Sequence, residues 1–230
     1  MIGEAALVRG AIAPRTSWRG RRPPVRQLAE AMLQRDIGEA GDLVDQFLVR
    51  VGSRVAVFAD LLQPAQYEVG NLWYQGQIGI GDEHRAACVL ERLVAMLPAT
   101  PSRGPVPAGA RCLLTAVPGE QHTLGLTMFA LALEDDGWEV ELLDHAWEPD
   151  DLACLVERAR PRLVGLSAGY LPSHLGVAHS VGAIRELGVP VLVGGSAFNR
   201  MGDLWRRVGA SAHGPDPRIG TVLARRLSRQ

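Results

Sequence analysis

Apolar positions along the first hundred residues recur with a helical period. Val25, Leu28, Ala31 and Met32 open one such face, and Leu43, Val44, Phe47, Leu48 and Val51 form a second. A third run starts after Ser53, whose hydroxyl suits an N-cap, and continues toward Trp73 with a kink or break expected at Pro64. The fourth runs from about Gly81 to Leu97, with Ala86, Val89, Leu90, Leu93 and Val94 on one face, and stops before Pro98. Four helices on short connections predict a four-helix bundle over residues 23–98. Residues 1–22 have no sustained period and read as a mobile basic lead, RTSWRGRRPP included. ATPSRGPVPAGA, residues 99–110, is crowded with Pro, Gly and Ala and reads as a linker.

Beyond it the pattern changes. Continuously apolar runs at 111–117, 138–144, 162–168 and 189–195, with a short one at 210–214, alternate with helical runs near 123–136, 149–160, 173–187, 198–208 and 215–228. Strands apolar on both faces and separated by helices predict a parallel sheet covered on both sides. Residues 111–230 are therefore expected to form a doubly wound, flavodoxin-like or Rossmann-like α/β domain that binds its ligand at the carboxyl ends of the strands.

Charge removes several function classes. The net charge of -1 arises from 24 basic and 25 acidic residues, which gives no overall field for nucleic acid or an anionic membrane. Every basic residue is Arg, so Schiff-base chemistry and a phosphate-binding lysine are excluded. Cys88, Cys112 and Cys154 lie far apart and read as small buried hydrophobes of a reducing compartment. With no secretory signal pattern and no long apolar span, a cytoplasmic location is expected.

Candidate chemistry gathers at the strand ends. PGEQHTLGL follows the first strand and places Glu120, His122 and Gly125 in the loop entering the next helix. Ser167, Ala168 and Gly169 follow the third strand, with Tyr170 and His174 just beyond, and Gly194-Gly195 ends the fourth. A histidine that binds metal through one ring nitrogen needs the other held by an acceptor, and Glu120 suits that role. Ser167 is placed to orient the carboxylate in turn, and the glycine pair to clear a path for a bulky ligand.

EQHTLG, then Ser167, then Gly194-Gly195, resembles the corrinoid-binding pattern Asp-x-His-x-x-Gly, Ser-x-Leu, Gly-Gly. The resemblance covers roughly residues 111–230. It implies that His122 is the lower cobalt ligand of a cobalamin, and that the displaced nucleotide tail runs between the serine and the glycines. Glu120 stands where the pattern has Asp, and Gly169 where it has Leu.

The helical part narrows the resemblance. Trp73, nine residues, then Glu83-His84 is similar to the cap signature of the cobalamin (B12)-dependent photoreceptors of the CarH type. This implies that Trp73 packs against an adenosyl group above cobalt while Glu83 and His84 bond its edges. Gly76, Gly79 and Gly81 would let the chain reverse between the helices. Tyr74 stands where those repressors carry a histidine, which leaves the photoproduct open. About two dozen residues precede the bundle, too few for their winged-helix domain, so direct DNA binding is not expected.

The reading is a non-enzymatic, light-responsive adenosylcobalamin photoreceptor that signals through a homo-oligomer or a protein partner. A stand-alone photocobilin with biliverdin as second chromophore is one form of it. A corrinoid carrier for methyl transfer and a light-insensitive cobalamin sensor or store remain as alternatives. His145, His174, His179 and His213 show no ligand spacing. Trp138, Trp147 and Trp205 read as packing residues, Asp135-Asp136 as a solvated helix end, and Asp150-Asp151 as a helix start. Asp144 suggests a ribose-binding acid, but no G-x-G-x-x-G follows the first strand.

Overall fold

A computed structural model describes residues 22–101, 106–143, 146–170 and 174–229. The expected basic lead before residue 22, the middle of the linker, Asp144, His145 and the side chain of His174 lie outside the described residues.

The bundle begins with α1 (Val25–Gln34) and α2 (Ile37–Val51), each closed by a residue at positive φ, Arg35 and Gly52. Ser53 caps the third run as expected, its Oγ accepting from the Ala56 N–H at 3.3 Å. That run does not break at Pro64. α3 (Arg54–Val57) passes through a π-helical turn at Phe58–Leu62 directly into α4 (Gln63–Tyr74). Pro64 has no N–H and its ring would meet the carbonyl four residues earlier, and the wider turn just before it absorbs both problems. α5 (Ile80–Met96) completes the bundle around a core containing Leu28, Met32, Leu43, Phe58, Leu61, Leu62 and Leu90.

The second half holds five parallel strands in the order β2-β1-β3-β4-β5. They are β1 (Arg111–Ala116), β2 (Glu139–Leu142), β3 (Leu163–Ser167), β4 (Val191–Gly194) and β5 (Ala212–Gly214). Helices α6 (Leu124–Asp136) and α11 (Pro217–Leu227) pack together on one face. The opposite face carries α7 (Pro149–Ala159) and α8 (His174–Glu186), followed by two short helices. The helix expected over 198–208 is divided into these two, α9 (Ser196–Arg200) and α10 (Leu204–Arg207), because the chain leaves helical geometry at Met201. Strand order reverses between β1 and β3, and such a switch point is where doubly wound sheets open a crevice at their carboxyl ends.

The bundle seats on the α6/α11 face. Met128 of α6 belongs to the bundle's core, and Leu124 and Leu131 pack against it. Asp135 and Asp136 correct the expectation of a solvated helix end, being 4% and 1% exposed. Acids at a helix C-terminus face the negative end of the dipole, so burial there requires cations. Arg54 of α3 supplies one, donating from Nε and Nη2 to Asp135 at 3.0 and 2.6 Å, and Thr100 adds its N–H and hydroxyl. Arg225 supplies the other, gripping Asp136 through Nε at 2.7 and 2.9 Å and through Nη2.

The cysteine expectation also needs correction. Only Cys112 is buried, its thiol pushed up to about 12 by burial and by the nearby Glu134 charge. Cys88 and Cys154 are exposed because each lies off the apolar stripe of its helix. Trp138 is 4% exposed, and Trp147 and Trp205 pack against the core on the α7/α8 side, as packing residues should. Asp150 and Asp151 occupy the first turn of α7, where helix-start acids belong. No helix among the described residues is long and apolar enough to cross a membrane.

Candidate functional site

β1 and β3 are neighbours at the switch point, in a register that sets Ala116 opposite Ser167. Their following loops therefore leave the sheet side by side. Glu120 joins them. Its side chain is 1% exposed, and Oε1 accepts from the Gln121 N–H at 2.8 Å, the His122 N–H at 2.7 Å and His122 Nδ1 at 2.6 Å. Oε2 accepts from the Gly169 and Tyr170 N–H groups at 2.5 and 2.7 Å.

Burial pushes the Glu120 carboxyl up, but the hydrogen bonds from Tyr170 and His122 outweigh it and hold the group below its ordinary value. Glu120 is therefore a carboxylate and can only accept, which places the imidazole proton on Nδ1. In the neutral ring Nε2 then keeps its lone pair, on a side chain that is 73% exposed. A carboxylate behind one ring nitrogen and an open lone pair on the other is the arrangement of a metal-ligating histidine. Among the described residues no group of three or more His, Cys, Asp and Glu gathers to hold an ion. A metal at His122 would take its remaining ligands from elsewhere, as a macrocycle provides.

Ser167 was expected to orient Glu120 and does not. It ends β3 at 8% exposure, while the carboxylate reaches past it to the N–H groups of Gly169 and Tyr170. These amides are free to donate because the chain has left the sheet ladder there. The glycine pair also answers a need of the fold itself. Gly195 has φ +96°, and a Cβ on it would stand 2.2 Å from the Ala168 carbonyl oxygen, so the crossing of the β3 and β4 ends itself requires glycine. A Cβ on Gly194 would stand 3.2 Å from the Gly214 carbonyl oxygen of β5. Gly125, in the first turn of α6, meets nothing, which leaves open the space before that helix. Tyr170 is 68% exposed on the rim.

The bundle residues form their own group. Trp73 and Tyr74 end α4 at 46% and 87% exposure, so the tryptophan is no core residue. Gly76, at φ 69°, turns the chain back toward α5. Glu83 accepts from Gln66 Nε2 at 3.0 Å and lies 3.7 Å from His84 Nε2, whose side chain is 68% exposed. Among the described residues no hydrogen bond or ion pair links Trp73, Tyr74, Glu83 or His84 to the Glu120–His122 cluster.

A seam joins the two units at the strand carboxyl ends, and sequence reasoning missed it. Gln63 Nε2 donates to the Pro215 carbonyl at 2.9 Å and to the Tyr67 hydroxyl at 3.0 Å. Asn199 Nδ2 donates to the same two acceptors, both at 2.9 Å, and Asn199 Oδ1 accepts from His213 Nε2 at 2.8 Å. Burial holds His213 below its ordinary value, in keeping with a neutral ring. Arg218 pairs with Asp60 beside the seam. No local motif announces these residues, since they come from α4, the α9 turn and the β5 end.

Two family models, each described as a B12 binding domain, match residues 110–217 and 25–97. The chain is 30% identical over 194 residues to the HTH-type transcriptional repressor CarH of Myxococcus xanthus, an overlap covering 81% of this chain and 63% of that relative. The chain thus spans less than two thirds of the relative's length. Among solved structures, the monomethylamine corrinoid protein of Methanosarcina barkeri superposes with a TM-score of 0.70 at 15% identity, over 87% of this chain and 96% of that one. That likeness extends through the helical half as well as the sheet, and it concerns the fold.

Proposed function

The chain belongs to the B12-binding domain family, and from that premise we propose that it is a light-responsive, adenosylcobalamin-binding signalling protein. The observation that carries the cofactor reading is the Glu120–His122 pair, which leaves Nε2 exposed at the sheet's switch point. His122 would hold cobalt through that nitrogen, with Glu120 fixing the tautomer and supporting the ligand's basicity. The nucleotide tail would descend beside Ser167, Gly194 and Gly195.

The similarity to CarH and the Trp73, Glu83-His84 spacing support the light response. When bound, adenosylcobalamin supplies a cobalt–carbon bond that light breaks. The chain's part is to cover and release. Trp73 offers an aromatic wall already half in solvent, and Glu83, steadied by Gln66, keeps its second oxygen beside His84 for ribose or adenine edges. A change at that wall reaches the α/β unit along α4, which carries Gln63 and Tyr67 into the seam with Asn199 and Pro215. The output is a changed oligomer or partner surface.

The test is to load the protein with adenosylcobalamin in darkness and compare absorption spectra and solution mass before and after green light. A shift in both is expected. An unchanged spectrum and mass end the photoreceptor reading, and turnover of methylcobalamin with a methyl acceptor replaces it with a corrinoid carrier. A red-absorbing band retained after adding biliverdin makes the protein a two-chromophore sensor. His122→Ala should abolish the spectrum of His-ligated cobalamin, and an unaltered spectrum removes the ligand assignment.

A further inference from the structure

Gly169 has no conformational reason to be glycine. Its φ is not in the left-handed region, unlike that of Gly195, so its backbone admits a side chain. What crowds one is Glu120. A Cβ at 169 would stand 3.2 Å from Glu120 Oε2, 3.5 Å from His122 Cβ and 3.7 Å from His122 Cγ. Oε2 has little freedom to retreat, because two backbone N–H groups grip it while Oε1 is held by three donors on its own loop. The missing side chain is thus the slot through which the carboxylate crosses from the β1 loop to the β3 loop. The Ser196 hydroxyl, donating to the Gly169 carbonyl at 2.8 Å, fixes the far wall of that slot.

We infer that Gly169 is a positioning residue matched to the length of Glu120, and that the pair sets the seat of the His122 imidazole and hence its hold on cobalt. This rests on His122 as the cobalt ligand. A side chain at 169 displaces the carboxylate and presses on the ring it orients. Glu120→Asp withdraws the carboxylate by about one carbon–carbon bond, roughly 1.5 Å, which weakens its grip on Gly169 and Tyr170 but vacates the slot. Each single change is harmful for a different reason, and the cost of a side chain at 169 disappears once the shorter acid has vacated the slot.

The test is a double-mutant cycle of Gly169→Val and Glu120→Asp in the full chain. Valine is chosen because its branched Cβ cannot swing its bulk away from the carboxylate. Two readouts are taken: the fraction of bound cobalamin with the His-ligated spectrum, and the thermal midpoint of the protein without cobalamin. Each single variant should lower the His-ligated fraction at least severalfold, and the double variant should be no worse than Glu120→Asp alone, to within about twofold, a coupling expected only of groups in contact. A Gly169→Val protein with the parent's spectrum and midpoint, or a double variant whose losses simply multiply, overturns the inference. The His122→Ala spectrum serves as the control for the ligand reading. If that reading fails, coupling in the cobalamin-free midpoint still decides whether Glu120 and Gly169 are matched, and light insensitivity of the parent leaves the cycle untouched.

Discussion

Replacing Arg54 by Ala strands the Asp135 carboxylate in a place it cannot leave. The two side chains are 7% and 1% exposed, and the guanidinium donates twice to the carboxylate and once to the Leu131 carbonyl at 3.0 Å. Without it Asp135 keeps only the Thr100 N–H and hydroxyl, each at 3.2 Å. Breaking a buried pair from one side costs about 3–5 kcal/mol, and the residual Thr100 bonds favour the lower end. For a chain of this size about 3 kcal/mol corresponds to a midpoint lowered by roughly 6–12 °C. Removing both charges with Arg54→Met and Asp135→Leu should return most of that loss, because the penalty comes from an uncompensated charge more than from a missing attraction. The assay is urea unfolding of the parent, Arg54→Ala, Arg54→Met, Asp135→Leu and the Arg54→Met/Asp135→Leu double variant, without cobalamin, followed by circular dichroism. α6 has 13 residues and separates Asp135 from the His122 end by about 20 Å, so the cobalamin spectrum should be the same in all five. A single Arg54→Ala that costs under about 1 kcal/mol, or a double variant no better than the sum of the singles, refutes the reasoning.

Acid stability should report on Glu120. Folding holds its proton more weakly than the unfolded chain does, so its contribution is complete above the ordinary carboxylate value of about 4.3 and is lost as pH falls through the lower folded value. Glu120→Gln should flatten that part of the profile, seen as urea midpoints converging with the parent's as pH falls below the ordinary carboxylate value of about 4.3. Native protein treated with a maleimide near neutral pH should gain two adducts by mass spectrometry, on Cys88 and Cys154, while Cys112 reacts only after unfolding. Trp73→Ala should change the cobalamin-free stability by less than about 1 kcal/mol, since the ring is already 46% exposed, yet weaken adenosylcobalamin more than hydroxocobalamin in a binding titration. Equal weakening of both counts against a wall for the upper group.

What the sequence made legible is what covalent spacing fixes. The strands could be read because parallel strands buried on both faces are apolar throughout, and β1, β3 and β4 are buried along nearly their whole length. Glu120 and His122 could be paired because they stand two positions apart and no folding is needed to bring them within reach. The pairings that hold the two units together have no such guarantee. Arg54 meets Asp135 across 81 positions and Tyr67 meets Asn199 across 132. Each depends on the bundle seating on the α6/α11 face, which no periodicity specifies. A signal was nonetheless present at Asp135-Asp136. Two acids at a helix C-terminus oppose the dipole, and an arrangement costly in water-exposed form is a reason to look for buried cations. Gly169 is the harder case, because a glycine in a loop reads as a turn. Its meaning lies in a carboxylate arriving from 49 positions away, and that carboxylate is longer than the one the corrinoid pattern carries. The departures at 120 and 169, separate in the sequence, meet in space, since a Cβ at 169 would stand 3.2 Å from the carboxylate oxygen that reaches the β3 loop.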